Sequence, residues 1–204
     1  MNVLAFGAHP DDIETGMAGT IAKYAMMGHK VLMVVTCVPN KKEKRIKEAT
    51  NAAKVLGADV EILGIDPHEL IFLRNIITQY DGIINNFNPD IVYTHWNKDS
   101  HQDHQSVANA VIATTRKNNC TLYMYEQTIP GGLTPHGFMP QVFVDISDTF
   151  SKKIESLKAH KSQVDINGGN WLDYGLTGRA MYRGYQIGVK YAEAFEVIKR
   201  IERI

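Results

Sequence analysis

Two short polar clusters in this chain hold residue types that bind metal ions and move protons. The first is His9-Pro10-Asp11-Asp12, where the apolar run Asn2-Val3-Leu4-Ala5-Phe6-Gly7-Ala8 ends. The second is His101-Gln102-Asp103-His104, shortly after the run Asp90-Ile91-Val92-Tyr93-Thr94-His95. A catalytic zinc site takes three imidazole or carboxylate ligands and keeps one position open. His9 and Asp12 offer two such ligands from the first loop, and a histidine of the second loop offers the third. Asp11, between them, is then free to take the proton of a water whose pKa a metal lowers to about 7. Of His101 and His104, one can bind the ion while the other, oriented by a neighbouring carboxylate, polarises the substrate. The spacing leaves open which is which. Taken alone, each cluster also reads as a turn, the first with a helix cap at Asp11 or Asp12. Their occurrence at two strand ends is what points to a site. His95 is read as ending its strand or orienting Asp99, with the second role preferred.

The elements that must position these clusters alternate between strand and helix. Residues 14–28 carry Met17, Ile21, Ala22, Ala25 and Met26 at helical spacing and stop at a glycine. Residues 30–37 form a continuous apolar, β-branched-rich run, as in a strand covered on both faces. The pattern continues with helix 41–56, strand 60–64, helix 69–87 stopping ahead of Pro89, strand 90–95, helix 105–117, strand 121–126 and strand 142–146. Helix 147–161, capped by Ser147 or Asp148, and a terminal helix 185–204 complete it. Residues 129–140 and 167–184 read as long irregular segments, the places to look for binding loops. The whole predicts an α/β domain, a mostly parallel sheet with helices on both faces, whose ligands bind beyond the carboxyl ends of the strands.

Composition narrows the function classes. With 204 residues, 44% hydrophobic and 22% charged, the chain suits one globular domain. Lys plus Arg and Asp plus Glu balance at 22 each, so no electrostatic case for nucleic acid exists. No apolar stretch approaches the ~20 residues of a membrane span, and the N-terminus lacks the flanks of a signal peptide, so a cytoplasmic location is expected. Cys37 and Cys120 are read as free buried thiols with no activating neighbour beside either in sequence. A nucleotide cofactor is disfavoured, because carboxylates stand where a phosphate-binding turn would be.

At these residues the sequence resembles the LmbE/PIG-L family of zinc-dependent N-acetylglucosamine deacetylases. The likeness rests on AHPDD at 8–12 and HQDH at 101–104, and continues through RIKEATNAAKVLGA at 45–58, LYMYE at 122–126, HKSQ at 160–163 and YRGYQIGVKYAEAFE at 182–196. It implies a Rossmann-like sheet in a single domain over 1–204, holding Zn2+, with another divalent metal as the alternative. His9, Asp12 and His104 would bind the ion, Asp11 would be general base and then proton donor, and His101, oriented by Asp103, would stabilise the oxyanion. Arg45 would contact the sugar, and its plain alternative is a surface arginine at a helix start. His160 and Gln163 fall in the family's C-terminal motif, where the histidine equally suits bracing a helix. Trp171, Tyr174, Arg179 and Tyr182 are candidate sugar contacts. The implied reaction is removal of an acetyl group from an N-acetylglucosamine-type amino sugar or its conjugate, in a homo-oligomer without nucleic-acid or membrane partners. A metal-dependent hydratase of an unsaturated carboxylic acid is the second reading. An inactive metal- or sugar-binding module is the third, and retention of Asp11 and His101 argues against it.

Overall fold

The computed structural model describes residues 1–71, 73–127 and 130–202. Among the described residues, seven strands join one sheet in the order β3-β2-β1-β4-β5-β7-β6. At its centre β1 (Asn2–Gly7) lies between β2 (Lys30–Cys37) and β4 (Ile91–His95), parallel to both, with Gly7 opposite Val35 and Val3 opposite both Val31 and Ile91. Outside them run β3 (Asp59–Ile65), parallel to β2, and β5 (Thr121–Tyr125), parallel to β4. The sheet closes with β7 (Ala192–Lys199) antiparallel to β5, and β6 (Val142–Asp145) antiparallel to β7.

The apolar runs are continuous because both sheet faces are covered. Side chains alternate along a strand, so Leu4 and Phe6 of β1 pack on one face with Ile76, Tyr80 and Ile84 of α3 (Leu73–Phe87) and Val107 and Val111 of α4 (Gln102–Thr115). Val3 and Ala5 face the other way, onto Ile13, Met17 and Ile21 of α1 (Asp12–Met26) and Ala53 and Leu56 of α2 (Lys42–Leu56). With β1 and β4 adjacent and parallel, their carboxyl ends open on the same side, and both polar clusters emerge there. No described helix is long and apolar enough to cross a membrane.

The C-terminal third departs from expectation. The helix expected over 185–204 is the end of α7 (Gly178–Ile187) followed by β7. Alanine and glutamate in Ala192-Glu193-Ala194-Phe195-Glu196 favour a helix locally, but the segment fills the slot between β5 and β6, and that pairing overrides propensity. The irregular stretch expected over 167–184 contains a π-helical turn (Trp171–Thr177) and most of α7. Its glycines hid the helix, and Gly184 serves packing: a Cβ there would lie 2.7 Å from the Val189 carbonyl.

The helix expected over 147–161 is α5 (Phe150–Ala159), followed after His160 by α6 (Lys161–Asn167). Thr149, rather than Ser147 or Asp148, takes the N-cap position of α5. The first part of the helix expected over 69–87 is a 3-10 turn, Pro67–Ile71, ahead of α3. Phe72 within that helix, Ile129 at the start of the expected loop, and Arg203 and Ile204 at the chain end lie outside the described residues.

Candidate active site

The turn from β1 into α1 sets the geometry. The His9 backbone N–H donates to Asp12 Oδ2 at 2.7 Å, which folds the loop back on itself. Asp11 sits in the left-handed region, φ 96°, where a non-glycine residue is strained. It stands at the N-cap position of α1, yet its side chain makes no cap bond. Instead Oδ1 accepts from Arg45 Nη2 at 3.1 Å, and the same nitrogen donates to the Pro10 carbonyl at 2.8 Å. Arg45 on α2 is therefore buried, not a surface arginine, and it braces the strained turn.

On the facing strand, α4 begins inside the HQDH sequence, three residues before the expected start. His101 is its N-cap, and His101 Nδ1 accepts from the Asp103 backbone N–H at 3.1 Å. Behind it the rings of His95, His104 and His101 stack, with centroids 4.1 Å and 4.6 Å apart.

His9, Asp12 and His104 converge. One donor atom from each lies within 4.8 Å of the others, a group able to hold a metal ion. Both imidazoles are held from behind by a carboxylate. Asp99 Oδ2 lies 3.1 Å from His104 Nδ1, and Asp103 Oδ2 lies 2.9 Å from His9 Nε2. The inner nitrogens, His104 Nε2 and His9 Nδ1, each face an Asp12 oxygen at 3.4 Å. A carboxylate on the outer nitrogen is how metal-binding histidines are commonly oriented, so the donor set fits a divalent cation. Gln127 adds a bond from Nε2 to Asp12 Oδ1 at 2.8 Å.

Two expected pairings change. The Asp103 carboxylate engages His9, not His101, which is held by a backbone N–H because it caps α4. Asp99 orients His104, not His95; the His95 ring points inward, and its Nε2 accepts from the Ala8 N–H at 2.9 Å. An acceptor at that nitrogen, with burial and the neighbouring His104 lowering its pKa to about 4, makes His95 neutral. Its 3.3 Å approach to Asp12 is therefore no ion pair.

Burial and the Asp12 carboxylate push Asp11 up to about 7, against the opposing pull of His160 and Arg45. Burial works against charge on His104 and His9, but Asp12 and Asp99 raise His104 to about 9, and bonds to Asp103 and Asp12 raise His9 to about 12. His101 is lowered by burial and by His104 and His9. It is thus neutral near pH 7 with Nδ1 occupied as acceptor, so its proton lies on Nε2.

These groups line a cavity of about 400 Å³ together with Arg45, Gln163, Asn167 and Trp171. Of the four candidate sugar contacts, Trp171 reaches it. Arg179 turns inward to donate to the Thr15 carbonyl, and Tyr174 and Tyr182 are exposed. His160 braces α1 from beneath, its Nε2 2.8 Å from Glu14 Oε1. Sequence reasoning missed the roles of Asp99, Gln127 and Asn167. Asp99 had a legible signal, a carboxylate five residues before His104, whereas Gln127 and Asn167 reach the site only through the tertiary fold.

Residues 4–115 match the family described as PIG-L, GlcNAc-PI de-N-acetylase. An uncharacterized deacetylase, YaiS, of Escherichia coli is 35% identical over 178 residues, 78% of this chain and 90% of its own length. The diacetylchitobiose deacetylase of Thermococcus kodakarensis is 26% identical, covering 98% of this chain and 84% of that protein. The fold also recurs in GalB, a 4-carboxy-2-hydroxymuconate hydratase of Pseudomonas putida, with a TM-score of 0.81 and 21% identity over 100% of this chain and 98% of that one.

Proposed function

The chain belongs to the PIG-L/LmbE family, and from that premise we propose that it is a zinc-dependent hydrolase removing the acetyl group from an N-acetylglucosamine-type amino sugar or its conjugate. The observation that carries this reading is the convergence of the inner nitrogens of His9 and His104 on Asp12, with the Asp11 carboxylate, held by Arg45, lining the same cavity. A zinc ion, or another divalent cation, held by His9, Asp12 and His104 would polarise the acetyl carbonyl and acidify a water molecule.

The chain's own residues supply the rest. Asp11, near pH 7 in its proton affinity, takes a proton from the attacking water and returns it to the amide nitrogen. Both steps are needed, because an amine leaves poorly unless protonated. Neutral His101 presents Nε2–H to the carbonyl oxygen as negative charge develops on it. Asp103 and Asp99 hold the two histidine ligands in their tautomers. Arg45 acts here on Asp11 and, from the cavity wall, on the sugar. Gln163, Asn167 and Trp171 form a wall of two amides and one aromatic face, donors and acceptors for hydroxyls beside a surface for a sugar ring.

The hydratase of the same fold shares too little sequence to carry its activity here, and the amides of Gln163 and Asn167 beside Trp171 on the cavity wall favour the amino sugar. A panel of N-acetylglucosamine, its β-linked dimer and lipid or nucleotide conjugates, assayed for acetate release with the zinc-loaded protein, tests the reading. Acetate from at least one member is expected. Hydration of an unsaturated dicarboxylate with no acetate from any member would overturn it.

A further inference from the structure

Cys37 stands outside the mechanism yet touches the site. Because β1 and β2 run parallel with Gly7 opposite Val35, the end of β2 lies beside the loop carrying His9, and the Cys37 N–H donates to the Ala8 carbonyl at 2.8 Å. The thiol is fully buried. One donor atom each from His9, Cys37 and Asp103 lies within 4.8 Å of the others, a second triad sharing only His9 with the first. The carboxylates of the two triads sit at opposite edges of that ring: Asp12 faces Nδ1, and Asp103 faces Nε2. Asp103 lines the cavity, so a cation entering from there meets this edge.

We propose that Cys37, Asp103 and the Nε2 edge of His9 form a second, thiophilic cation site that fills when zinc, cobalt or cadmium is in excess, and that filling it inhibits the enzyme. The donor chemistry differs from that of the first triad, which has only nitrogen and oxygen; a thiolate selects soft and borderline cations over magnesium or calcium. Binding replaces two protons, one from the thiol and one from His9 Nε2, and both leave to solvent. The bond by which Asp103 orients His9 is lost in the process. Loss of such a partner lowers activity or first-site affinity by about 10–100-fold.

Titration of metal-free protein with Co2+ tests this, and it rests on the first triad binding one ion. The first equivalent should give visible d–d absorption without a sulfur band. Excess Co2+ should add a near-ultraviolet sulfur-to-cobalt charge-transfer band and reduce acetate release at least about tenfold. Cys37→Ser and Cys37→Ala should keep the first-equivalent spectrum, which also reports a folded site, and lose both the sulfur band and the inhibition. Cys120→Ser should behave as wild type. First-equivalent absorption with no sulfur band in excess Co2+ would overturn this site alone. A sulfur band that survives in both Cys37 variants would do the same, and absence of any Co2+ spectrum would sink the first triad with it.

Discussion

Removing the Arg45 guanidinium separates two roles for it, bracing the base and touching the sugar. Its Nη2 lies 3.1 Å from Asp11 Oδ1, and the two side chains are 5% and 14% exposed, so the pair is screened little by solvent. An opposite charge this close lowers a carboxylate by about 1–3 pH units. Arg45→Met should therefore raise Asp11 from about 7 by roughly that amount. Asp11 must be ionised to accept a proton, so the acid limb of the kcat profile should move to higher pH. A one-unit rise cuts the ionised fraction at pH 7 about fivefold and a three-unit rise several hundredfold, with activity recovering at alkaline pH. Arg45→Lys, which keeps a positive charge there, should shift the limb less. Losing one partner of a buried pair also costs about 3–5 kcal/mol of stability, so thermal melts belong beside the kinetics. The assay is acetate release against pH at saturating and limiting substrate. A raised KM with an unmoved acid limb would refute the bracing role and leave Arg45 as a sugar contact alone.

Three further outcomes follow from the same geometry. Asp99→Ala frees the outer nitrogen of His104 and should weaken metal binding about 10–100-fold by equilibrium dialysis; an unchanged Kd would mean Asp99 does not orient that ring. His9 and His104 both hold raised proton affinities, to about 12 and about 9, and a cation must displace those protons. Metal affinity should therefore fall as pH drops from 8 to 6, with proton release visible as buffer-dependent calorimetric heats, and a pH-independent Kd would contradict this. Gly16→Ala should destabilise the fold by about 1–3 kcal/mol, lowering Tm by about 2–12 °C. The new methyl would collide with the buried Tyr125 ring, which its hydroxyl bond to the Phe6 carbonyl holds in place; an unchanged Tm would mean the ring moves aside freely.

The N-terminal half of the fold was legible because local signals there agree with tertiary ones. Residues 31–37 are mostly apolar and buried and rich in β-branched side chains, and Gly57, φ 74°, ends α2 where the sequence stops it. In the C-terminal third they conflict. Ala192–Lys199 has helical composition but sits inside a sheet, and the clue that did exist was Gly188, a left-handed residue ending α7 before the strand begins. The convergence of His9, Asp12 and His104 was legible because each lies in one of two short motifs at adjacent strand ends. Its supporting shell was not. Which carboxylate faces which imidazole depends on ring orientation, and Asp103 supports His9 across 94 positions of sequence instead of His101 two positions away. Cys37 met its imidazole by the same route, through strand register.

The most direct test of the account is Asp11→Asn in zinc-loaded protein, with metal content and acetate release measured on the same sample. Asparagine keeps the side chain's size but cannot take the proton. The expected result is full zinc occupancy with acetate release down by about 10²–10⁴-fold. Wild-type release from Asp11→Asn protein with zinc still bound would contradict the assignment of Asp11 as the group that moves the proton.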